Sequence, residues 1–429
     1  MAHRVLSAMI SVLALSACRG EEISAPSHAV IVVLPDGADE ASERVAALTV
    51  ETLATMTGAT PPLLRGEFST LESIEAEARR ASAALTIVLD GERAAPELFS
   101  PSRLEALGNE GFAVEARDSG SFTNALGSQG STLLLAAGNS RLAHQYGAYE
   151  ILRRLGARYY HPEDEYIPIV PPEQLRARAA TPTLLAWGRE DQDYLPDFAS
   201  RSWTFHGPHP LEHLEAFSDG DHPIDEAVHV NDWIVKNMGD RFRGAGRGVA
   251  SEEAQARRVA ELEELRLLLG FPGGPGISLH NQQQGASADI DPDSGVPVQQ
   301  QIEELVTSRL EASPEAEWFG IHFGPTEVTT TPDQETVQWI EWAGQAALAA
   351  RPDIRVWIND HTTGSQPSPN YDDLGCPNGT NNQSRSVYYD LAFHTDPRLG
   401  VSVHTVMFYP LEGPARVYEQ QSFAHKLCL

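Results

Sequence analysis

The stretch that decides the fold is STLLLAAGNSRLAHQYGAYEILRRLGARYYHP, residues 131–162. It begins with an apolar run that is typical of a buried strand. A helical pattern follows and stops at Gly156; Tyr149, Leu152 and Leu155 recur in it at helical spacing, which predicts that they are core residues. The last six residues, ARYYHP, are typical of a further strand. A strand, a helix and a strand in succession predict an α/β unit.

The same alternation extends toward the N-terminus. Short apolar runs predict strands at 29–35, 84–91, 111–120 and 131–139. A helix is predicted at 41–58, where a glycine ends the helical pattern. Residues 28–172 are therefore predicted to form a compact α/β domain. A linker marked by proline, residues 173–195, follows it.

Residues 196–429 alternate again between strand and helix patterns. Helices are predicted at 251–270 and 296–313, and strands at 199–205, 235–242 (the weakest), 276–281, 318–324, 354–360 and 401–410. Repeated strand–helix units predict a parallel sheet, and about 250 residues is the usual size of a (β/α)8 (TIM) barrel. A doubly wound open sheet is the alternative, but no Gly-rich phosphate loop follows any strand. Only six strands precede Pro410, so the predicted barrel is incomplete at its C-terminal end.

The first residues, MAHRVLSAMISVLALSAC, have the pattern of an export signal. A short basic start and an apolar stretch lead to small residues before Cys18, and LSAC resembles the lipobox of bacterial lipoproteins. This pattern predicts a signal peptide at 1–18, lipidation at Cys18 and a tether at 19–27. An ordinary signal peptide and a chance cysteine are the alternatives. Cys376 and Cys428 could pair in an oxidising compartment, or could remain free.

Composition and charge limit the kinds of partner. The 429 residues are 41% hydrophobic, which is ordinary for a globular protein, but the formal net charge is −29. Such a surface repels nucleic acids and anionic membranes. We therefore expect no nucleic-acid partner, and membrane contact only through the lipid anchor. The sequence predicts no cofactor.

Histidines recur at or just after the predicted strand ends of the second region: His206, His280, His322, His361 and His404. In a parallel barrel these ends meet at one face, where active sites are built. Taken singly, such a histidine is more often an interior or loop residue. No HxH or HExxH spacing is present, so no metal site is predicted, and a metal-dependent hydrolase is the least favoured reading.

Two carboxylates, Glu327 and Asp360, share this placement. Glycoside hydrolysis needs such a pair, with one group protonated as an acid and the other acting as base or nucleophile. Aromatic residues would give sugar rings an apolar platform: Trp203, Trp357 and Tyr409. Trp339 and Trp342 lie in a predicted helix and are expected to be core residues. The alternative role for Glu327 is a charge that favours the N-terminus of the following helix.

Three segments carry a resemblance to known glycosidases. LLLAAGNSRLAHQYGAYEILRRLGARYYHPEDEYIP resembles the end of the N-terminal α/β domain that precedes the barrel in family 20 hexosaminidases and family 67 α-glucuronidases. DWIVKNMGDRF resembles the second barrel strand, and FGPTEV resembles the end of the fourth. The chain as a whole is similar to a group of bacterial secreted proteins that join this domain to a family-20-like barrel.

This resemblance implies a function. It places Glu327 at the acid position and puts Thr326 where hexosaminidases carry an Asp, so the α-glucuronidase pattern, with Asp360 as the second carboxylate, fits better. We therefore expect an exported, lipid-anchored glycoside hydrolase acting on a poly- or oligosaccharide. The alternative is a catalytically inactive surface protein that binds carbohydrate on the same fold.

Overall fold

The structure is a computed structural model, and it describes residues 28–180, 193–196, 201, 224–242, 252–279, 289–314, 316–322, 333–360 and 394–403. These residues pack into two compact units that divide between Phe271 and Pro272. Both units are mixed α/β structures, as the sequence predicts for the class of fold.

The first unit is built on a six-stranded, mainly parallel sheet in the order β2-β1-β3-β5-β4-β8. Strands β2, β1, β3 and β5 are parallel, whereas β4 is antiparallel to both β5 and β8. The ARYYHP segment forms a strand as predicted, but it pairs with a neighbouring strand in a separate two-stranded sheet, β6-β7. The strands are β1 (Val30–Pro35), β2 (Leu63–Gly66), β3 (Leu85–Val88), β4 (Phe112–Thr123), β5 (Gln129–Gly138), β6 (Arg158–His161), β7 (Asp164–Tyr166) and β8 (Asp193–Tyr194).

Helices cover both faces of this sheet. They are α1 (Glu40–Thr57), α2 (Leu71–Arg80), α3 (Gly91–Ala94), α4 (Pro101–Leu107), α5 (Arg141–Leu155), α6 (Pro172–Ala180), α7 (Asp225–Lys236) and α8 (Glu252–Leu269). Successive residues of β1 enter opposite cores: Val32 packs in the core of α1 and α5, and Val33 in the core of α2 and α4. The predicted core residues Tyr149, Leu152 and Leu155 are buried in the former, which confirms that prediction.

Side-chain caps fix where the helices that follow β1 and β5 begin. Asp39 accepts the backbone N–H of Ser42 at 2.9 Å, and Ser140 accepts that of Ala143 at 3.2 Å. Helix α1 ends at Gly58, whose φ of 72° is the left-handed conformation that glycine adopts without strain. Both helices therefore start at the carboxyl edge of the parallel strands.

The predicted strand at 235–242 is wrong, and so is the barrel strand that the resemblance places at 232–242. Helix α7 runs to Lys236 instead. Its apolar residues recur at helical spacing and are buried: Ala227, Val230, Trp233 and Ile234. Trp233 Nε1 donates to the carbonyl oxygen of Tyr159 at 3.1 Å, which ties this helix to the first unit. The predicted strand at 199–205 lies almost wholly outside the described residues.

The second unit has a four-stranded parallel sheet in the order β12-β11-β10-β9. Its described elements are β9 (Gly276–Ser278), α9 (Val298–Ala312), β10 (Trp318–His322), α10 (Asp333–Ala350), β11 (Arg355–Asp360) and β12 (Gly400–Val403). These confirm the last four predicted strands and the helix predicted at 296–313. Phe319, Ile321 and Ile358 pack into one core with α9 and α10. The predicted core residues Trp339 and Trp342 are respectively buried and partly buried against that core.

The segment after α7 is held to the first unit by a buried hydroxyl. The Tyr146 hydroxyl donates to the carbonyl oxygen of Gly239 at 2.7 Å, and Tyr146 is fully buried. We expect Tyr146→Phe to lower the free energy of unfolding by about 1–3 kcal/mol, because the carbonyl loses its buried partner. Urea unfolding measures the change. Tyr160→Phe, which removes a hydroxyl from an exposed tyrosine, is the control; equal midpoints for the two variants would contradict the packing.

Candidate functional site

The carboxyl edge of the second unit's sheet brings two predicted site residues together. His322 is the last residue of β10, its side chain is exposed, and its Cα pairs with that of Asn359. Asp360 follows Asn359 and ends β11. The backbones of His322 and Asp360 therefore lie side by side at the edge where the sequence predicts a site; the Asp360 side chain lies outside the described part.

Trp357 lies on the face of this sheet opposite to α9 and α10. It pairs in register with Gly320, while its neighbours Val356 and Ile358 face the helix-side core. The centroid of its ring lies 6.2 Å from the centroid of the Trp318 ring, with 42° between the ring planes. Gly274 accommodates this pair, since a Cβ there would come within 1.7 Å of the Trp318 ring. The two half-buried indoles form an aromatic surface on the face that carries His322.

Asp289 is a second carboxylate near this edge, and sequence reasoning missed it. It accepts the backbone N–H of Ser278 at 2.6 Å and two bonds from the Arg309 guanidinium at 2.9 and 2.8 Å. Burial alone would raise the pKa of Asp289, but these hydrogen bonds and the charges of Arg309 and His322 hold that pKa below its usual value. Asp289 is therefore ionised, and its hydrogen bonds connect the end of β9 to α9.

The other predicted site residues lie outside the described residues, so their roles remain predictions. They are Glu327, His206, His280, His361, His404, Trp203, Tyr409 and the lipidation residue Cys18. In the sequence, Glu327 lies between His322, which ends β10, and Asp333, which begins α10.

The first unit holds a compact group of titratable side chains at the carboxyl edge of its own sheet. Asp90 and Glu92 follow β3, and His144 lies in the first turn of α5, after β5. His144 Nε2 is 2.8 Å from Glu92 Oε1, and Nδ1 is 3.3 Å from Asp90 Oδ1. Within the described part of the chain, this is the one group of three or more His, Cys, Asp or Glu side chains placed closely enough to hold a metal ion.

Opposite charges determine the protonation of this group. Burial lowers the pKa of His144, but the hydrogen bond and charge of Glu92 and the charge of Asp90 raise it, with a net result of about 9. Burial raises the pKa of Asp90, while His144 opposes that shift. Without a bound ion the imidazole is therefore positively charged at neutral pH. The sequence signal for Asp90 is the same as in the second unit, a polar residue just after an apolar strand.

Comparison with known proteins adds no assignment. No protein-family model matches the chain, and no curated protein matches it in sequence. None of the helices in the described segments is long and apolar enough to cross a membrane.

Loss of the hydrogen bonds between Asp289 and Arg309 should destabilise the second unit. We expect Asp289→Asn to lower its free energy of unfolding by about 1–3 kcal/mol at neutral pH, because charged hydrogen bonds to Arg309 are lost. The folded-state pKa of Asp289 lies below the ordinary value of 3.8, so this stabilisation is present above pH 3.8 and is lost as pH falls through the lowered pKa.

Urea unfolding at several pH values measures this effect. The midpoints of the wild-type protein and of Asp289→Asn should converge as the solution becomes acidic. Asp353→Asn, which neutralises an exposed carboxylate of the same unit, is the matched control and should change little. A difference in unfolding midpoint between wild type and Asp289→Asn that is independent of pH would contradict the stabilising role of the ionised Asp289.

Proposed function

We propose that the chain is an exported glycoside hydrolase that acts at the carboxyl edge of a (β/α)8-type second unit. The observation that carries this proposal is the arrangement of β9 to β12. They are parallel, follow one another in sequence order, and pack α9 and α10 into one core on one face. Barrel units have this order, with helices outside and catalytic residues at the carboxyl ends of strands, whereas doubly wound sheets reverse strand order and carry helices on both faces.

The proposed chemistry uses one carboxylate from each of two neighbouring strand ends. Adjacent strands lie about 4.8 Å apart, so carboxylates leaving β10 and β11 can reach the separations of about 5 to 9.5 Å that glycosidases use. Glu327, in the connection after β10, would donate a proton to the leaving oxygen. Asp360, at the end of β11, would activate water or attack the sugar carbon.

The surrounding residues suit a sugar. Trp318 and Trp357 offer an aromatic surface against which the apolar face of a pyranose ring can pack, and His322 can hydrogen-bond hydroxyl groups at the strand end. Asp289 and Arg309 hold the end of β9 in place beside them. The proposal needs no cofactor, and it includes the export signal and the lipid anchor at Cys18.

A surface carbohydrate-binding protein is the second candidate. The Trp318–Trp357 pair favours it, because an aromatic platform binds a sugar ring without any catalytic carboxylate. Under this alternative, the exported chain would hold a glycan at the cell surface and leave it intact.

Two neutralising variants test the hydrolase. We expect Glu327→Gln and Asp360→Asn each to lower kcat by about 10²–10⁴-fold, because each removes a proton-transfer or nucleophilic group. Release of reducing ends from a panel of neutral and acidic oligosaccharides measures turnover. Glu335→Gln and Asp353→Asn make the same chemical changes at exposed positions and should retain wild-type rates.

The outcomes separate the two candidates. Wild-type turnover in Glu327→Gln would overturn its assignment as the acid. If the wild-type protein binds an oligosaccharide that it does not cleave, and Trp357→Ala weakens that binding while Glu327→Gln does not, the protein is a carbohydrate-binding protein instead.

A further inference from the structure

We infer that Asp90, Glu92 and His144 form a binding site for a divalent first-row transition-metal ion such as Zn²⁺ or Mn²⁺. The site belongs to the first unit and takes no part in the proposed glycan chemistry. Three features of the described residues support this site: the position of the group in the sheet, its buried ligand atoms, and the hydrogen bonds that orient it.

The group lies where α/β sheets bind ligands. The chain passes from β1 through α1 to β2 at the sheet edge, and then returns through α2 to β3 on the other side of β1. Since α1 and α2 pack on opposite faces, the connections diverge at the carboxyl ends of β1 and β3. Open α/β sheets bind ligands at such a topological switch point. Asp90 follows β3 at this point, and the Ser42 hydroxyl of α1 donates to its Oδ1 at 3.0 Å.

Glu92 Oε2 is buried without a hydrogen bond, and His144 Nδ1 is buried with no hydrogen bond and has Asp90 Oδ1 at 3.3 Å. The ligand atoms that the three side chains offer all lie within 4.8 Å of one another. Buried polar atoms are normally satisfied, so the Glu92 oxygen needs a partner. An ion bound by His144 Nδ1 and the Asp90 and Glu92 carboxylates would provide it.

The neighbouring contacts are those that orient metal ligands. His144 Nε2 lies 2.8 Å from Glu92 Oε1 and 3.0 Å from the carbonyl oxygen of Gly138. With Nδ1 and the Glu92 carboxylate turned to the ion, the Nε2–H donates to that carbonyl. Metal-binding histidines commonly donate their second N–H to a backbone carbonyl in this way, and ligand carboxylates are hydrogen-bonded as Asp90 is by Ser42.

The donor set selects the class of ion. One imidazole nitrogen and two carboxylates suit Zn²⁺, Mn²⁺ and related divalent ions, whereas Ca²⁺ and Mg²⁺ prefer oxygen alone. Two carboxylate charges also balance a divalent cation once the imidazole is neutral. The competing arrangement is a closed triad, with an imidazolium between two carboxylates and no ion bound.

Mn²⁺ binding to the purified, chelator-treated full chain tests the site directly. Free Mn²⁺ is counted by its electron paramagnetic resonance signal during titration, and ZnCl₂ is then added as competitor. We expect the wild-type chain to bind one Mn²⁺ that Zn²⁺ displaces and that is lost in His144→Gln and Glu92→Gln. The matched controls His161→Gln and Glu72→Gln, in the same unit but outside the group, should keep it.

A positioning variant extends the test. Ser42→Ala leaves all three ligands in place but removes the hydrogen bond to Asp90 Oδ1, and we expect it to weaken binding about 10- to 100-fold without changing the stoichiometry. Circular dichroism and the Tm of each chelated variant confirm folding. Absence of Mn²⁺ binding by the wild-type chain would overturn the site in favour of the closed triad. Equal stoichiometry and affinity in wild type, Glu92→Gln and Ser42→Ala would also overturn it. Neither measurement requires glycan turnover.

Discussion

Helices cover both faces of the first unit's parallel sheet, and the rest of that unit depends on this constraint. All six residues of β1 are buried, as are all four of β3, so their side chains must be apolar or internally satisfied on both sides. This requirement sends α1 and α5 to one face and α2 to the other, and it draws α7 and α8 onto the α1–α5 side. Buried polar side chains within the strands are paired, as Thr86 is with Ser131. The Asp90–Glu92–His144 group instead lies where the strands end.

In the second unit, the described helices cover only one face of the sheet. Its described strands alternate between a helix-side core and a face with a half-buried indole pair, so only one face of the sheet is packed against α9 and α10. Trp357 on that face lies opposite Gly320, which carries only a hydrogen on its Cα and so leaves space for the large ring. The two sheets thus share parallel strands, and a site is proposed at the carboxyl edge of each, but they differ in which faces are covered by helices.

Apolar runs and helical spacing were enough to predict β1, β3, β5, α1 and α5, because burial on both faces leaves a continuous signal. The same reasoning missed the two-residue strand β8 and the half-exposed β2, which carry no such run. It failed outright at 235–242, where the burial of Trp233 and Ile234 continues a helix that had begun upstream. Contacts between distant residues were also out of reach. Nothing in local spacing connects Asp90 with His144, or Asp289 with Arg309, since topology alone brings them together.

Charge narrows the substrate class of the proposed hydrolase. The formal charge of −29 disfavours an anionic polymer approaching the protein, and the described arginines near the second unit's sheet are already engaged. Arg309 donates to both carboxylate oxygens of Asp289, and Arg355 Nη2 lies 3.0 Å from Glu317 Oε2. Freeing either guanidinium for a substrate carboxylate would leave a partner carboxylate unpaired, which offsets the attraction. Among the described residues, Trp318 and Trp357 offer indole faces at this sheet, and these pack against apolar ring faces without a net charge requirement. For the proposed hydrolase we therefore expect a neutral glycan rather than a uronate, even though the resemblance points partly to α-glucuronidases.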